Sequence, residues 1–125
     1  MSRDNLDLVR EMYVAFHGGD AERALSYFAD DVVVDASVRV DGGVGYGRDA
    51  LARIIGQWVG AFDGWTEDLE DLRAVGDKVH AVAVQRGRDR ATGLETRTRY
   101  AVAYRVEDGA ISRMTLYRDP ADLPS

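Results

Sequence analysis

The stretch MYVAFHGGDAERALSYFADDVVVDAS, residues 12–37, decides how this chain folds, because its apolar residues change period inside it. Leu6, Val9, Met12, Tyr13 and Phe16 recur at helical spacing, and Gly18-Gly19 stops that helix. Asp20 is placed to N-cap a short second helix with Ala24, Leu25 and Phe28 on one face. Asp30-Asp31 reads as the turn that follows. From Val32 the period becomes two. Val32, Val34, Ala36, Val38 and Val40 alternate with Val33, Asp35, Ser37 and Arg39, the pattern of a strand with one buried face. Asp41-Gly42-Gly43 ends it.

Outward from this stretch the reading continues in the same terms. Leu51, Ile54, Ile55, Trp58, Val59 and Phe62 form the apolar stripe of a third helix. After Gly64 the pattern predicts strands over 65–75, 78–90, 94–106 and 110–118. The separators Gly76-Asp77, Ala91-Thr92-Gly93 and Glu107-Asp108-Gly109 are hairpin-type connections. Helices first and antiparallel strands afterwards predict an α+β fold, with helices packed on one face of a sheet. On the fourth long strand Thr98, Tyr100, Val102, Tyr104 and Val106 form the more apolar face. The last strand opposes Arg113, Thr115 and Tyr117 to Met114 and Leu116, and periodicity alone does not orient it.

Composition narrows the function classes. With 125 residues, 46% of them hydrophobic, the chain fits one domain, 1–125, with one core. A net charge of −6 argues against a nonspecific grip on nucleic acid phosphates. The absence of cysteine removes thiolate chemistry, disulfides and cysteine-based metal sites. No apolar run approaches the roughly 18 residues of a membrane span, and the charged start, MSRDNLDLVRE, does not read as a signal peptide. The expectation is a cytoplasmic protein without membrane contact.

Single motifs are weak. The glycine-rich segment 42–47 lacks the Gly-Lys-Ser/Thr ending of a phosphate loop and reads as a flexible lip before the third helix. His17 and His80 are the only histidines, and neither has a second ligand at metal-binding spacing, so no metal and no cofactor are expected. His17 reads as a surface cap at the Gly-Gly break, and His80 as a core histidine or, less simply, a catalytic one.

The order helix, Gly-Gly-Asp break, short helix, Phe-Ala-Asp-Asp and alternating strand resembles the opening of the SnoaL-like and ketosteroid-isomerase-like branch of the NTF2-like superfamily. The Tyr-Arg-Asp-Pro-Ala-Asp-Leu ending is similar to that of many SnoaL-like proteins. The resemblance implies a cone: three N-terminal helices on a curved, mostly antiparallel sheet around an apolar pocket. It places Tyr13 at the oxyanion tyrosine of the isomerases. Their base position falls on Ala36, with Asp35 one residue early, and their acid position falls near Val102. A one-residue slip turns a strand side chain to the opposite face, so ketosteroid isomerisation by that mechanism is not expected. Arg86 matches the arginine of the limonene epoxide hydrolase relay, but Arg88 and Leu116 stand where its acids belong. The carboxylate that SnoaL cyclases carry on the last strand has no counterpart at residues 114–117, and Asp119 reads as a cap.

The resemblance therefore implies an aromatic cup holding a small hydrophobic molecule. Phe16, Trp58, Phe62, Trp65, Tyr100, Tyr104 and Tyr117 are its candidate walls, and Tyr13, Asp35, His80, Arg86 and Arg113 its candidate catalytic groups. It puts Arg113, Thr115 and Tyr117 inside. Two functions compete. One is cyclase-, isomerase- or hydrolase-like acid–base chemistry on a polyketide- or terpenoid-like substrate; the other is binding without catalysis. A homodimer through the outer sheet face is expected from Ala101, Ala103, Met114 and Leu116 lying among arginines.

Overall fold

The computed structural model describes residues 4–39 and 43–124. Helix α1 (Asn5–His17) starts where the Asp4 carboxylate accepts from the Leu6 N–H at 3.0 Å, and it ends at Gly18 and Gly19, the latter at φ 83°. Helix α2 (Ala21–Ser26) starts the same way, with Asp20 accepting from the Arg23 N–H at 3.1 Å. Phe28, expected on this helix, instead opens strand β1 (Phe28–Asp35). The Ile111 N–H donates to the Tyr27 carbonyl at 2.9 Å, so the chain joins the sheet one turn earlier than its periodicity suggests. Asp30 and Asp31 lie inside β1 where its register shifts, rather than in a turn. Arg48 holds this irregular stretch, donating to the Phe28 carbonyl and pairing with Asp30 at 2.9 Å.

Strand β1 stops at Asp35 because the Asp35 carboxylate accepts from both the Ser37 N–H and the Ser37 hydroxyl, and this bends the chain. Val38 consequently lies beyond the strand, and Val40, Asp41 and Gly42 fall outside the described residues. The glycine-rich lip is in part a strand, β2 (Val44–Tyr46), paired with β1. Gly45 allows a close approach there. A Cβ would come within 2.9 Å of Ile54 Cδ1 and 3.0 Å of Ala50 Cβ on helix α3 (Arg48–Gly60). Phe62, read on the stripe of α3, instead begins β3 (Phe62–Val75).

Three more strands follow: β4 (Lys78–Asp89), β5 (Glu95–Glu107) and β6 (Ala110–Tyr117). Between β5 and β6, Asp108 and Gly109 both have positive φ, 53° and 76°, as a two-residue hairpin turn of the primed type demands. The six strands run in the order β2-β1-β6-β5-β4-β3, and the β1–β6 pair is parallel while the others are antiparallel. A short 3-10 turn, Pro120–Asp122, follows β6, capped by the Asp119 carboxylate. No helix among the described residues is long and apolar enough to cross a membrane.

The register fixes which face is which. Tyr100, Val102 and Tyr104 pair with Ala83, Ala81 and Val79 on one side, and Val102 and Tyr104 with Leu116 and Met114 on the other. These residues share the core with Leu8, Val9, Met12 and Tyr13 of α1 and with Leu51 and Trp58 of α3. Met114 and Leu116 therefore point inward, and Arg113, Thr115 and Tyr117 point outward. The orientation implied for the last strand by resemblance is reversed. Ala101 and Ala103 remain on the outer face, as expected, but without Met114 and Leu116.

Candidate functional site

The helices leave the inner face of the sheet incompletely filled. A cavity of about 310 Å³ lies between them, lined by α1, α2, α3 and by β1, β3, β5 and β6. Its walls are apolar and aromatic. Trp58 meets Tyr100 edge-on at 5.0 Å between ring centroids, and Phe16 meets Trp65 at 5.9 Å. The two indole N–H groups converge on one acceptor, the Gln85 side-chain oxygen, at 2.7 Å from Trp58 and 3.0 Å from Trp65. Gln85 is thereby a buried polar residue whose oxygen fixes the attitude of both tryptophans.

Polar groups gather on one wall. The hydroxyls of Tyr13 (α1) and Tyr104 (β5) are 2.6 Å apart and buried. Burial raises the ionisation of both phenols well above the ordinary tyrosine range, so both keep their protons. Two O–H groups share one hydrogen bond. The second proton has no acceptor among the described residues. Beside this pair Glu67 of β3 lines the cavity. Its side chain is only 4% exposed, and its Oε1 lies 2.8 Å from His17 Nε2 at the end of α1. Desolvation raises the Glu67 pKa, and the His17 contact opposes that shift only in part.

Tyr13 is the one candidate catalytic residue that the cavity contains. Phe16, Trp58, Trp65, Tyr100 and Tyr104 line it, while Phe62 and Tyr117 do not. Phe62 packs at the margin of the core, under the Gly87 backbone, where a Cβ on Gly87 would meet Phe62 Cβ at 2.9 Å. The other four candidate catalytic groups are on the outer face. Asp35 and Arg113 meet there at 3.5 Å, and the serine hydrogen bonds hold the Asp35 carboxyl below its usual range. Arg86 pairs with Asp68 at 3.5 Å. His80 is 7% exposed between outer-face neighbours, its Nε2 has no hydrogen-bond partner among the described residues, and burial lowers its pKa, with Lys78 and Arg73 adding to the effect. His17, expected as a surface cap, does lie at the surface, and its ring also contacts Glu67.

Glu67 and Gln85 escaped the reading of the sequence. Glu67 stands in the run Thr66-Glu67-Asp68-Leu69-Glu70-Asp71, which looks like a solvated strand face. The signal that could have found it is the spacing of Trp65, Glu67 and Leu69, which puts one carboxylate on the face of an indole and a leucine. No group of three or more potential metal ligands occurs among the described residues.

Comparison with known proteins agrees with this architecture. An uncharacterized protein of Mycobacterium tuberculosis is 34% identical over 120 residues, covering 94% of this chain and 91% of its own. Among solved structures, an NTF2-like protein of Burkholderia thailandensis is similar with a TM-score of 0.82 and 26% identity, covering 94% of this chain and 92% of its own. A candidate polyketide cyclase of Xanthomonas campestris reaches a TM-score of 0.71 with 28% identity, covering 93% and 90% of the two chains. The family model for the SnoaL-like domain matches residues 9–114, which take in every cavity-lining residue, and the chain belongs to that family.

Proposed function

We propose that this protein is an acid–base enzyme acting on a small apolar molecule that carries a carbonyl or phenolic oxygen. The observation that carries the reading is the nearly buried Glu67 carboxylate, set in an aromatic cavity next to a protonated tyrosine pair. A base of raised pKa and a hydrogen-bond donor on one wall suit removal of a proton from carbon next to a carbonyl. Glu67 takes the proton, and the free tyrosine hydroxyl donates to the oxygen on which negative charge develops. The resemblance to a candidate polyketide cyclase supports substrates rich in such carbonyl groups. At a packing density of about 0.74, a cavity of about 310 Å³ accommodates a bicyclic ketone of about a dozen non-hydrogen atoms.

The test uses 2-methyl-1-tetralone, a bicyclic ketone with one hydrogen on its stereogenic α-carbon. The wild-type protein is expected to racemise one enantiomer. Glu67→Gln is expected to slow this by roughly 10²–10⁴-fold, the usual worth of a positioned base, and to leave affinity within a few-fold. Saturable binding of the ketone with no racemisation by the wild type would instead support the second reading, a ligand-binding protein without catalysis. That reading is favoured by the predominantly apolar lining of the cavity.

A further inference from the structure

Glu67 sits where a proton is easily received and poorly released. Its side chain is 4% exposed, and Tyr13, Tyr104 and the aromatic walls surround the cavity it faces. One group joins it to solvent. His17 Nε2 lies 2.8 Å from Glu67 Oε1, while the His17 side chain is 32% exposed. The ring is held on its inner side by Tyr13 and Phe16, with centroids at 5.6 and 5.9 Å. It thus spans the boundary between the cavity wall and water at the last turn of α1.

We infer that His17 is the proton exit of this site, relaying the proton that Glu67 takes from a bound ligand out to solvent, and carrying a solvent proton back. The inference rests on the acid–base reading of Glu67. The step balances with no added reagent. As the ligand's α-C–H bond breaks, its electron pair forms the enolate and the proton becomes a carboxyl O–H on Glu67. With the His17 ring in the tautomer that carries its proton on Nδ1, rotation of the carboxyl presents the new proton to the Nε2 lone pair; Nδ1–H releases one proton to water, and the proton received on Nε2 then donates to the regenerated carboxylate across the 2.8 Å contact. Reprotonation at carbon runs the same path backwards with a solvent proton. A histidine suits the task because its two ring nitrogens can accept on one side and donate on the other near neutral pH.

Without the relay, Glu67 still removes the proton but hands the same one back, and an enolate that turns over within the cavity takes it on its other face. The experiment therefore compares two rates in D2O with one enantiomer of 2-methyl-1-tetralone: loss of optical activity and gain of deuterium at the α-carbon. In the wild type the two are expected to run together. In His17→Gln, racemisation should continue with protium retained, so the ratio of exchange to racemisation falls from its wild-type value towards zero. Free imidazole should restore the ratio in His17→Ala. An unchanged ratio in both variants overturns the relay while leaving Glu67 as base, whereas absence of racemisation in the wild type is a failure of the acid–base reading itself.

Discussion

At the residue scale the chain places two ionisable groups in unfavourable surroundings, with opposite consequences. The Glu67 pKa is raised by burial. A carboxyl raised on folding favours the native state below the ordinary glutamate range, and that contribution is lost as pH rises through the raised value. Replacing Glu67 by Gln should therefore stabilise the protein more at pH 8 than at pH 4.5, as thermal midpoints would show; equal midpoint changes at both values would contradict the burial argument. The His80 pKa is lowered, so the neutral ring favours the native state above the ordinary histidine range and the benefit is lost as pH falls. His80→Gln is expected to flatten the fall of stability between pH 7 and pH 5 in urea titrations, and a slope identical to wild type would count against it. Glu67 was invisible in the sequence for a physical reason. Its partner His17 lies 50 positions away, and no local period reports that contact.

At the element scale, what was legible is what periodicity controls. The break after α1, the Asp20 cap, the stripe of α3 and the hairpins of the long strands all follow from local spacing and turn residues. The structure departs from local spacing where tertiary pairing overrides period. Phe28 and Phe62 each continue a helical pattern yet open strands, because strand pairing captures them. The orientation of β6 depended on register with β5, which alternation alone leaves open. The acidic run of β3 lies on an edge strand whose alternation is broken by irregularities between Asp63 and Thr66 and between Leu69 and Asp71. Such irregularities and charges also discourage edge-to-edge pairing. Two glycines separate packing from propensity. Gly45→Ala should cost about 1–3 kcal/mol, since the new methyl meets Ile54 and Ala50 at 3.0 Å or less. Gly56→Ala, with nothing within 4 Å in the interior of α3, should gain up to about 1 kcal/mol. Chemical denaturation of both variants checks the pair; a stabilising Gly45→Ala would contradict the described packing of β2 on α3.

For the whole molecule, one sheet serves two surfaces. The outer face carries Val82, Val84, Ala101, Ala103 and His80 among arginines that pair with acids of the same face, such as Arg99 with Glu70 and Arg105 with Asp77. Rows of both signs beside small apolar residues suit a second copy related by a two-fold axis, because each row can meet its opposite. Sedimentation at micromolar concentration is expected to show a dimer that Ala103→Glu dissociates; a wild-type monomer would refute this. The inner face carries the larger claim, that the space between helices and sheet is a ligand site rather than an imperfectly packed core. Trp58 and Trp65 stand in its wall, so a ligand that enters contacts an indole and buries apolar area worth about 25 cal/mol per Å² before the costs of association. The measurement that tests this most directly is a tryptophan fluorescence titration with 2-naphthol, repeated with Trp58→Phe. Saturable quenching by the phenol is expected, most of it lost in the variant, together with a raised thermal midpoint for the liganded wild type. Unchanged emission and an unchanged midpoint up to the solubility limit would show a closed core, and the ligand site would be wrong.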